Sequence, residues 1–595
     1  MRPGLATRLV PTVAGAVVGV LLCAGESCSV KTVDPSHASA QTRNKCREDS
    51  DCKTSTGHNA TCASGMCWAS SGDLDSVYLE ILPPASAFWG AGDSFLVPLS
   101  EVNRGGWDYS INVPQRSRIV GKITLKPSLL GTPPSEACSA VYDPVSSTLA
   151  MHLEIVRSES TLGLPAFATS TKTTLTRQGA WEFTTTIPSG NYDIYLTALA
   201  DCIADFPPLF SANHHLEPGD VKYDLTVNAL ASVSGQISIR PSPNNVQALA
   251  GWTVSLVSPS FGKVISTTRK LGDTVPTNFN LRYQAIAGQT PLLHLQPPQG
   301  HVAPEMYWDL GVLDLDADGQ IQLDIESLDL RTVRVTGTVV DTTQTPMKNA
   351  TIRVRSKALS GVSQGLTSYY ETSVTSAEDG SFAMVLLPGT YQVLVTPASE
   401  SPFGITQTYW SIAPSTEPPP APQTLVVQPR NPVDSVVFDP SGRRPMQNLQ
   451  ISIASANTAV TALTERLVSE VPIVVRPVSG FTDDEGLFWL DSDRGLIDLT
   501  ARASKESNLP WLAVPRRQVS AIPWPPLHLS YPIPLGGTIT DPNRNPIQSA
   551  LLRVFATVKH AEYTSTVQVA EGRTNKDGSF LLLLPSQVPQ LDASR

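Results

Sequence analysis

Charge is scarce in this sequence. Asp, Glu, Lys and Arg make up 16% of its 595 residues, where globular domains usually carry about 25%. Aromatics are few as well, at 7%. There is no basic stripe: 43 Lys and Arg stand against 53 Asp and Glu, a net charge of −10. That balance excludes the electrostatic footprint of a nucleic-acid binder. The shortage of charge also argues against long helices and coiled coils, which are rich in Glu, Lys and Arg. No apolar run reaches the ~20 residues that a membrane-spanning helix needs. What is plentiful is proline, at 50 residues, well above the usual ~5%. Hydrophobic residues still reach 41%, which excludes wholesale disorder. At roughly 100–200 residues per domain, a chain of this length holds several.

Residues 1–28 read as an export signal. Arg2 and Arg8 supply the positive start, Leu9 to Leu22 the apolar run, and small residues follow. An uncleaved anchor is the alternative. Cleavage before Cys28 leaves seven cysteines, an odd number that calls for an explanation in an exported protein. Cys28 is spare if it becomes the lipid-modified first residue of a bacterial lipoprotein. Gly25-Glu26-Ser27 lacks the Leu usual three places earlier. Plain secretion with a free Cys28 is the other reading. Cys46, Cys52, Cys62 and Cys67 form a compact cluster in residues 29–72, and Cys138 and Cys202 fall together further on. Four cysteines allow three connectivities. Zinc is a rival for the cluster, but the spacing lacks paired CxxC knuckles and export favours oxidation. A bridge from Cys138 to Cys202 closes a long loop, worth about 4 kcal/mol if unstrained; two buried thiols are the alternative.

From residue 119 one pattern recurs. Val335-Thr-Gly337-Thr-Val339 leads through Asp341 and Pro346 to Ala350-Thr-Ile352-Arg-Val354, then Asp379-Gly380-Ser-Phe382, then Leu387-Pro388-Gly389-Thr-Tyr391. Val333, Val335 and Val339 alternate, as do Tyr391, Val393 and Val395, with the period of a half-buried strand. Asp379-Gly380 and Pro388-Gly389 are turn dipeptides. The openings recur at Gly121, Gly235, Gly337, Ser435 and Gly537. Units near 100 residues, each a run of short strands, predict β-sandwiches in a row. The expected divisions are 73–118 for strands leading into the first sandwich, then 119–228, 229–331, 332–428, 429–530 and 531–595. The last unit lacks a clear Tyr-bearing strand, so it is incomplete or borrows one. Pro-rich connectors at 417–422 and 523–526 suggest semi-rigid spacing. Val460, Leu463 and Leu467 have helical spacing, though loop or strand is equally open there.

These motifs resemble the carboxypeptidase regulatory-like domain. The match is good over 332–398 and 531–585, fair over 119–200 and 429–500, and weak over 229–330. The resemblance implies transthyretin-like antiparallel sandwiches. In the enzymes that named the family the catalytic zinc lies in a separate domain, and no such domain is seen in this sequence. The segment from Cys46 to Cys67 resembles small Cys-rich modules that follow lipoprotein signals in myxobacteria and their relatives. That resemblance implies bridges 46–62 and 52–67.

Few residues offer chemistry. None of the nine histidines has zinc-peptidase spacing. His214-His215, the one close pair, reads as a surface loop. Gly361-Val-Ser363-Gln-Gly365 matches a nucleophile elbow by letter, but lies between strands with no helix after it. Asp314, Asp316 and Asp318 followed by Gly319 resemble the start of a calcium loop, yet the twelfth place holds Ile325; a hairpin turn is the plainer reading. Trp410, Trp511 and Trp524 sit near loops or linkers, where rings can stack on sugars or cap sandwich ends.

The expected protein is all-β: about five antiparallel β-sandwich domains after a small disulfide-rich segment, extended along one axis as a lipid-anchored stalk. It is non-enzymatic and monomeric, with no cofactor unless calcium binds. Its partners are envelope or surface proteins or polysaccharide, it touches membrane only through its lipid, and it takes no nucleic acid. Carbohydrate binding through exposed aromatics is the alternative function. With Cys28→Ser, cell fractionation is expected to move the protein out of the membrane fraction; continued membrane partition removes the lipid anchor.

Overall fold

The computed structural model describes residues 74–588 except 75, 85–92, 100–105, 126–150, 159–161, 176–179, 199–206, 228–230, 240–249, 261, 273–276, 285–289, 312–319, 326–330, 361–364, 415–419, 457–461, 505–506, 520–523 and 560–563, together with the backbone of four short strands before residue 70. The described chain is nearly all β, arranged as a tandem array of antiparallel sandwiches.

The third repeat shows the plan. Val333–Asp341 runs antiparallel to Ser381–Leu386 and parallel to Gln423–Val427. The opposing sheet has the order Glu371–Thr375, Thr351–Leu359, Gly389–Thr396, Thr406–Ile412. Alternation in the sequence becomes burial here: Val335, Val339, Ile352, Val354, Tyr391 and Val393 enter one core, while Arg334, Thr338 and Arg353 face solvent. The Tyr391 hydroxyl donates to the Leu387 carbonyl at 2.6 Å, which satisfies a polar tip inside the core. A Cβ on Gly337 would lie 2.1 Å from the Gln423 carbonyl oxygen, so the last strand approaches only because the side chain is absent. Ser435 takes this place in the fourth repeat, and its hydroxyl donates to the Pro525 carbonyl at 2.8 Å.

The other repeats vary this plan. In the first, seven strands form one continuous sheet, from Leu209–Leu216 at one edge to Gly219–Val227 at the other. The second forms both sheets although it lacks the Asp-Gly-x-Phe motif. In the fourth, the Pro-rich segment is part of the sandwich: Trp524 and Leu527 are core residues. The helix at the predicted place is short, Leu463–Val468.

The fifth repeat holds four strands of its own: Pro532–Thr540, Leu551–Lys559, Thr564–Arg573 and Ser579–Pro585. Three more come from the other end of the chain. Ser76–Leu82 pairs antiparallel with Leu551–Lys559, Phe95–Leu99 pairs with Ser76–Leu82, and Gly106–Asn112 runs parallel to Pro532–Thr540. The strands ahead of the first repeat therefore complete the last sandwich. Leu79, Ile81, Phe95 and Ile111 share a core with Ile539, Leu552, Val554 and Leu584. A Cβ on Gly537 would lie 2.0 Å from the Tyr109 carbonyl oxygen, the same close approach that Gly337 permits. Buried Glu80 accepts from the Ser94 hydroxyl at 2.7 Å and lies 3.7 Å from Arg553 of the C-terminal half.

Contacts then pass from each sandwich to the next and back to the start. Lys263 reaches Glu154 at 2.6 Å between the first and second. Glu305–Asp309 of the second pairs with Leu366–Tyr369 of the third. Gln392 of the third is bound to Val471 of the fourth. Ala513 of the fourth joins the fifth core. Arg157 of the first donates to Ser94 at 3.2 Å, and Thr566 of the fifth donates to the Leu162 carbonyl at 2.6 Å. This circuit corrects the expectation of a stalk extended along one axis: sandwich ends that meet cannot all lie in one line.

Leu79 is fully buried, so Leu79→Ala is expected to cost about 2–5 kcal/mol. Hydrogen exchange should quicken across Leu551–Lys559 and stay unchanged across Thr351–Leu359; equal protection at both would show that the N-terminal strands do not hold the fifth sandwich.

Candidate functional site

The tryptophans expected at loop edges lie mostly inside. Trp410 is a core residue stacked on Phe382, with ring centroids 6.1 Å apart. Trp524 is a core residue of the fourth sandwich with Arg517 over its ring. Trp511 is half-buried beneath Arg502 at 4.2 Å. Strand alternation is the reason for Trp410: on Thr406–Ile412 it points inward while its neighbour Tyr409 is 51% exposed. Burial removes Trp410 and Trp524 as sugar-stacking faces.

Other candidates fall as follows. Asp314, Asp316, Asp318 and Ser363 lie outside the described residues, as do Cys28, Cys46, Cys52, Cys138 and Cys202. The backbone places Cys62 opposite Cys67 in a short antiparallel pair. His214 and His215 lie on an edge strand, not in a loop. His214 packs edge-on against Tyr223 at 4.7 Å, and His215 meets Asn191 at 2.7 Å; consecutive strand residues face opposite ways.

Among the described residues, the densest polar constellation is the junction of sandwiches two, three and four. It is built by the segment 463–477, which leaves the fourth sandwich and crosses the other two. Leu463 is buried with Val257, Leu292 and Tyr307 of the second. Arg355 donates to the Arg466 carbonyl. Glu470 accepts from Lys357 at 2.7 Å and from Tyr409 at 2.8 Å, and the Lys357 bond, then the Tyr409 bond, hold its carboxyl below the usual range. The Gln392 side-chain amide pairs with both backbone groups of Val471, at 3.0 and 2.8 Å. Beneath the helix, Glu305 accepts from Tyr307 at 2.7 Å and meets His294 at 3.2 Å. The His294 bond is the main cause that holds Glu305 low. Opposite, Arg353 donates to Glu371 at 2.6 Å, and Tyr369 donates to it as well. Burial, aided by Glu371, pushes the Tyr369 hydroxyl up to about 12. These carboxylates are engaged by several donors, the arrangement of a structural joint more than of a proton-transfer site.

Asp493 closes the joint. Its side chain is fully buried. It accepts from Arg476 Nε and Nη2, at 2.9 and 2.6 Å, from the Arg476 backbone at 2.9 Å and from the Ile405 backbone at 3.0 Å. Arg476 also donates to the Ala398 and Phe403 carbonyls of the third sandwich, at 3.0 and 2.6 Å. Burial alone would raise the Asp493 carboxyl; the Arg476 and Ile405 donors outweigh it and hold the group below its ordinary 3.8.

A second feature is apolar. On the outer face of the fourth sandwich, Trp489 is 64% exposed and Leu487 38%. Leu487 lies opposite Val436 and Trp489 opposite Asp434. Phe481, at the end of the preceding strand, is also exposed. Sequence reading passed over this face. Its signal was the unbroken run Leu487-Phe488-Trp489-Leu490, apolar on both sides of a strand that covers a core on only one.

No family model matches the chain, and no curated protein does. Solved structures that resemble it include a streptococcal ancillary pilin, 10% identical, covering 50% of this chain and 99% of that one at a TM-score of 0.19. The shaft pilin SpaA from Lactobacillus rhamnosus GG is 14% identical, covering 34% of this chain and 98% of that one at 0.15. BcpA, the major pilin subunit of Bacillus cereus, is 9% identical, covering 53% of this chain and 100% of that one at 0.14. Likeness at this level bears on neither arrangement nor activity.

Asp493→Ala leaves the half-buried Arg476 with its two carbonyl acceptors but without its carboxylate, which is expected to cost about 3 kcal/mol. Hydrogen exchange at the Ile405 amide should speed up sharply. In the unmodified chain the same amide should lose protection on acidification. A carboxyl depressed by folding stabilises above its unfolded value, near 3.8 for Asp493, and that stability is lost as pH falls through the lower folded value. Protection that is flat down to strongly acidic pH would show that this ion pair does not hold the joint.

Proposed function

We propose that this is an exported, non-enzymatic protein of the cell surface or outer membrane, held by a lipid on Cys28, with a structural or adhesive role. Its sandwiches are read as carboxypeptidase regulatory-like domains on the strength of the repeated turn and strand motifs. The observation that carries the adhesive part is the exposed face around Trp489 and Leu487. Large apolar side chains grouped on a sandwich that already has a complete core contribute nothing to folding, and such faces mark contact sites. Trp is also the side chain that most often dominates an interface. The partner class that fits is an envelope or surface protein with a complementary apolar patch. Stacking on polysaccharide is the second reading, now resting on the open indole of Trp489 in place of Trp410 and Trp524.

The test is a pull-down of the mature chain against envelope fractions and insoluble polysaccharides. Trp489→Ala is expected to weaken envelope binding by about tenfold or more, with the sandwich cores unaffected. Binding to polysaccharide alone, lost in the same variant, selects the second reading. Envelope binding at full strength in Trp489→Ala removes this face from the proposal.

A further inference from the structure

We propose that the strands Ser76–Leu82, Phe95–Leu99 and Gly106–Asn112 are an exchangeable clasp through which two copies of this chain join, each completing the other's fifth sandwich. The inference stands apart from the adhesive reading and rests on how that sandwich is divided. Its C-terminal half supplies four strands and its N-terminal clasp three. Without the clasp, Ile533, Ile539, Leu552 and Val554 lose the cover of Val77, Leu79, Ile81 and Ile111. Leu551–Lys559 and Pro532–Thr540 would each present an unpaired edge. An open edge beside an apolar face is a template for any strand that fits, and the strand that fits is the clasp of this chain or of another copy.

The neighbouring contacts travel with the clasp. Val113–Arg116 is all that separates Gly106–Asn112 from the first strand of sandwich one, Ser117–Leu125. Arg116 binds Asp93 at 2.9 Å and Arg157 donates to Ser94 at 3.2 Å, so a donated clasp arrives with the sandwich that braces it. The Thr566 bond to Leu162 is then rebuilt between chains. A swapped joint keeps the contacts of the closed one, the condition under which exchange costs little.

Chain order favours competition from a neighbour. The clasp lies near one end and its acceptor at the other, with sandwiches one to four between them. Loop-closure cost grows with the logarithm of the enclosed length, so this is the pairing in which a second copy competes best at high local density. The closed single chain is the dilute form and the exchanged pair the crowded one.

Complementation tests this directly. Leu79 and Val554 are register partners in the core. Leu79→Arg disables the clasp and Val554→Arg disables the acceptor, each leaving the other half intact. An equimolar mixture of the two full-length variants is expected to form a 1:1 complex of twice the chain mass by light scattering, absent from either alone. A mixture that stays at the single-chain mass overturns the proposal. Unmodified chains carrying two different affinity tags give a readout free of core mutations. Unfolded and refolded together at rising concentration, they are expected to co-purify as a dimer whose share grows with concentration; tags that never co-purify overturn it as well.

Discussion

A strand edge left unpaired beside an uncovered apolar face is costly in water, because both its hydrogen-bonding groups and its side chains lack partners. The C-terminal repeat meets this constraint and cannot answer it from its own residues. Its four strands bury their inner face only when Ser76–Leu82, Phe95–Leu99 and Gly106–Asn112 are added. The rest of the architecture depends on that completion. It brings both ends of the described chain into one sandwich, sets sandwich five against sandwich one, and turns a row of domains into a circuit.

The circuit is stiffened where three sandwiches meet. Tandem β-sandwiches with independent cores move relative to one another unless their interfaces are substantial. Here a strand of the third repeat extends a sheet of the second, and a segment of the fourth crosses both. Backbone pairing has a fixed register, and the buried Arg476–Asp493 pair has a fixed geometry, so both restrict rotation more than a greasy contact would. The joint therefore joins directional bonds at its centre to apolar packing around Leu463.

A division of labour among aromatic residues follows. Trp410, Trp524, Tyr391 and Tyr192 fill cores or cap them with a satisfied hydroxyl. Tyr307 and Tyr369 donate to junction carboxylates. Trp489 does neither, and its face is open. Large side chains with no part in folding are informative about contact.

The repeats, their strand periodicity, the Asp-Gly turns of the third and fifth and the glycine at four of the five openings were legible in the amino-acid sequence alone. Each depends on residues close together in the chain: alternation, positive φ at Gly380 and Gly578, and a turn dipeptide act over a few positions. The all-β class followed from them, and so did the shortfall of the last repeat. Which strands make good that shortfall did not follow, because register partners hundreds of residues apart leave no local mark in a single sequence. The same limit hid the joint around Asp493, whose donors Ile405 and Arg476 lie in separate stretches of the chain. It also hid the facing of each tryptophan, since a ring beside a loop points inward or outward according to which strand lies behind it. Local pattern determined what each element is; the search for cover and for hydrogen-bond partners, which only the folded chain completes, decided what each element meets.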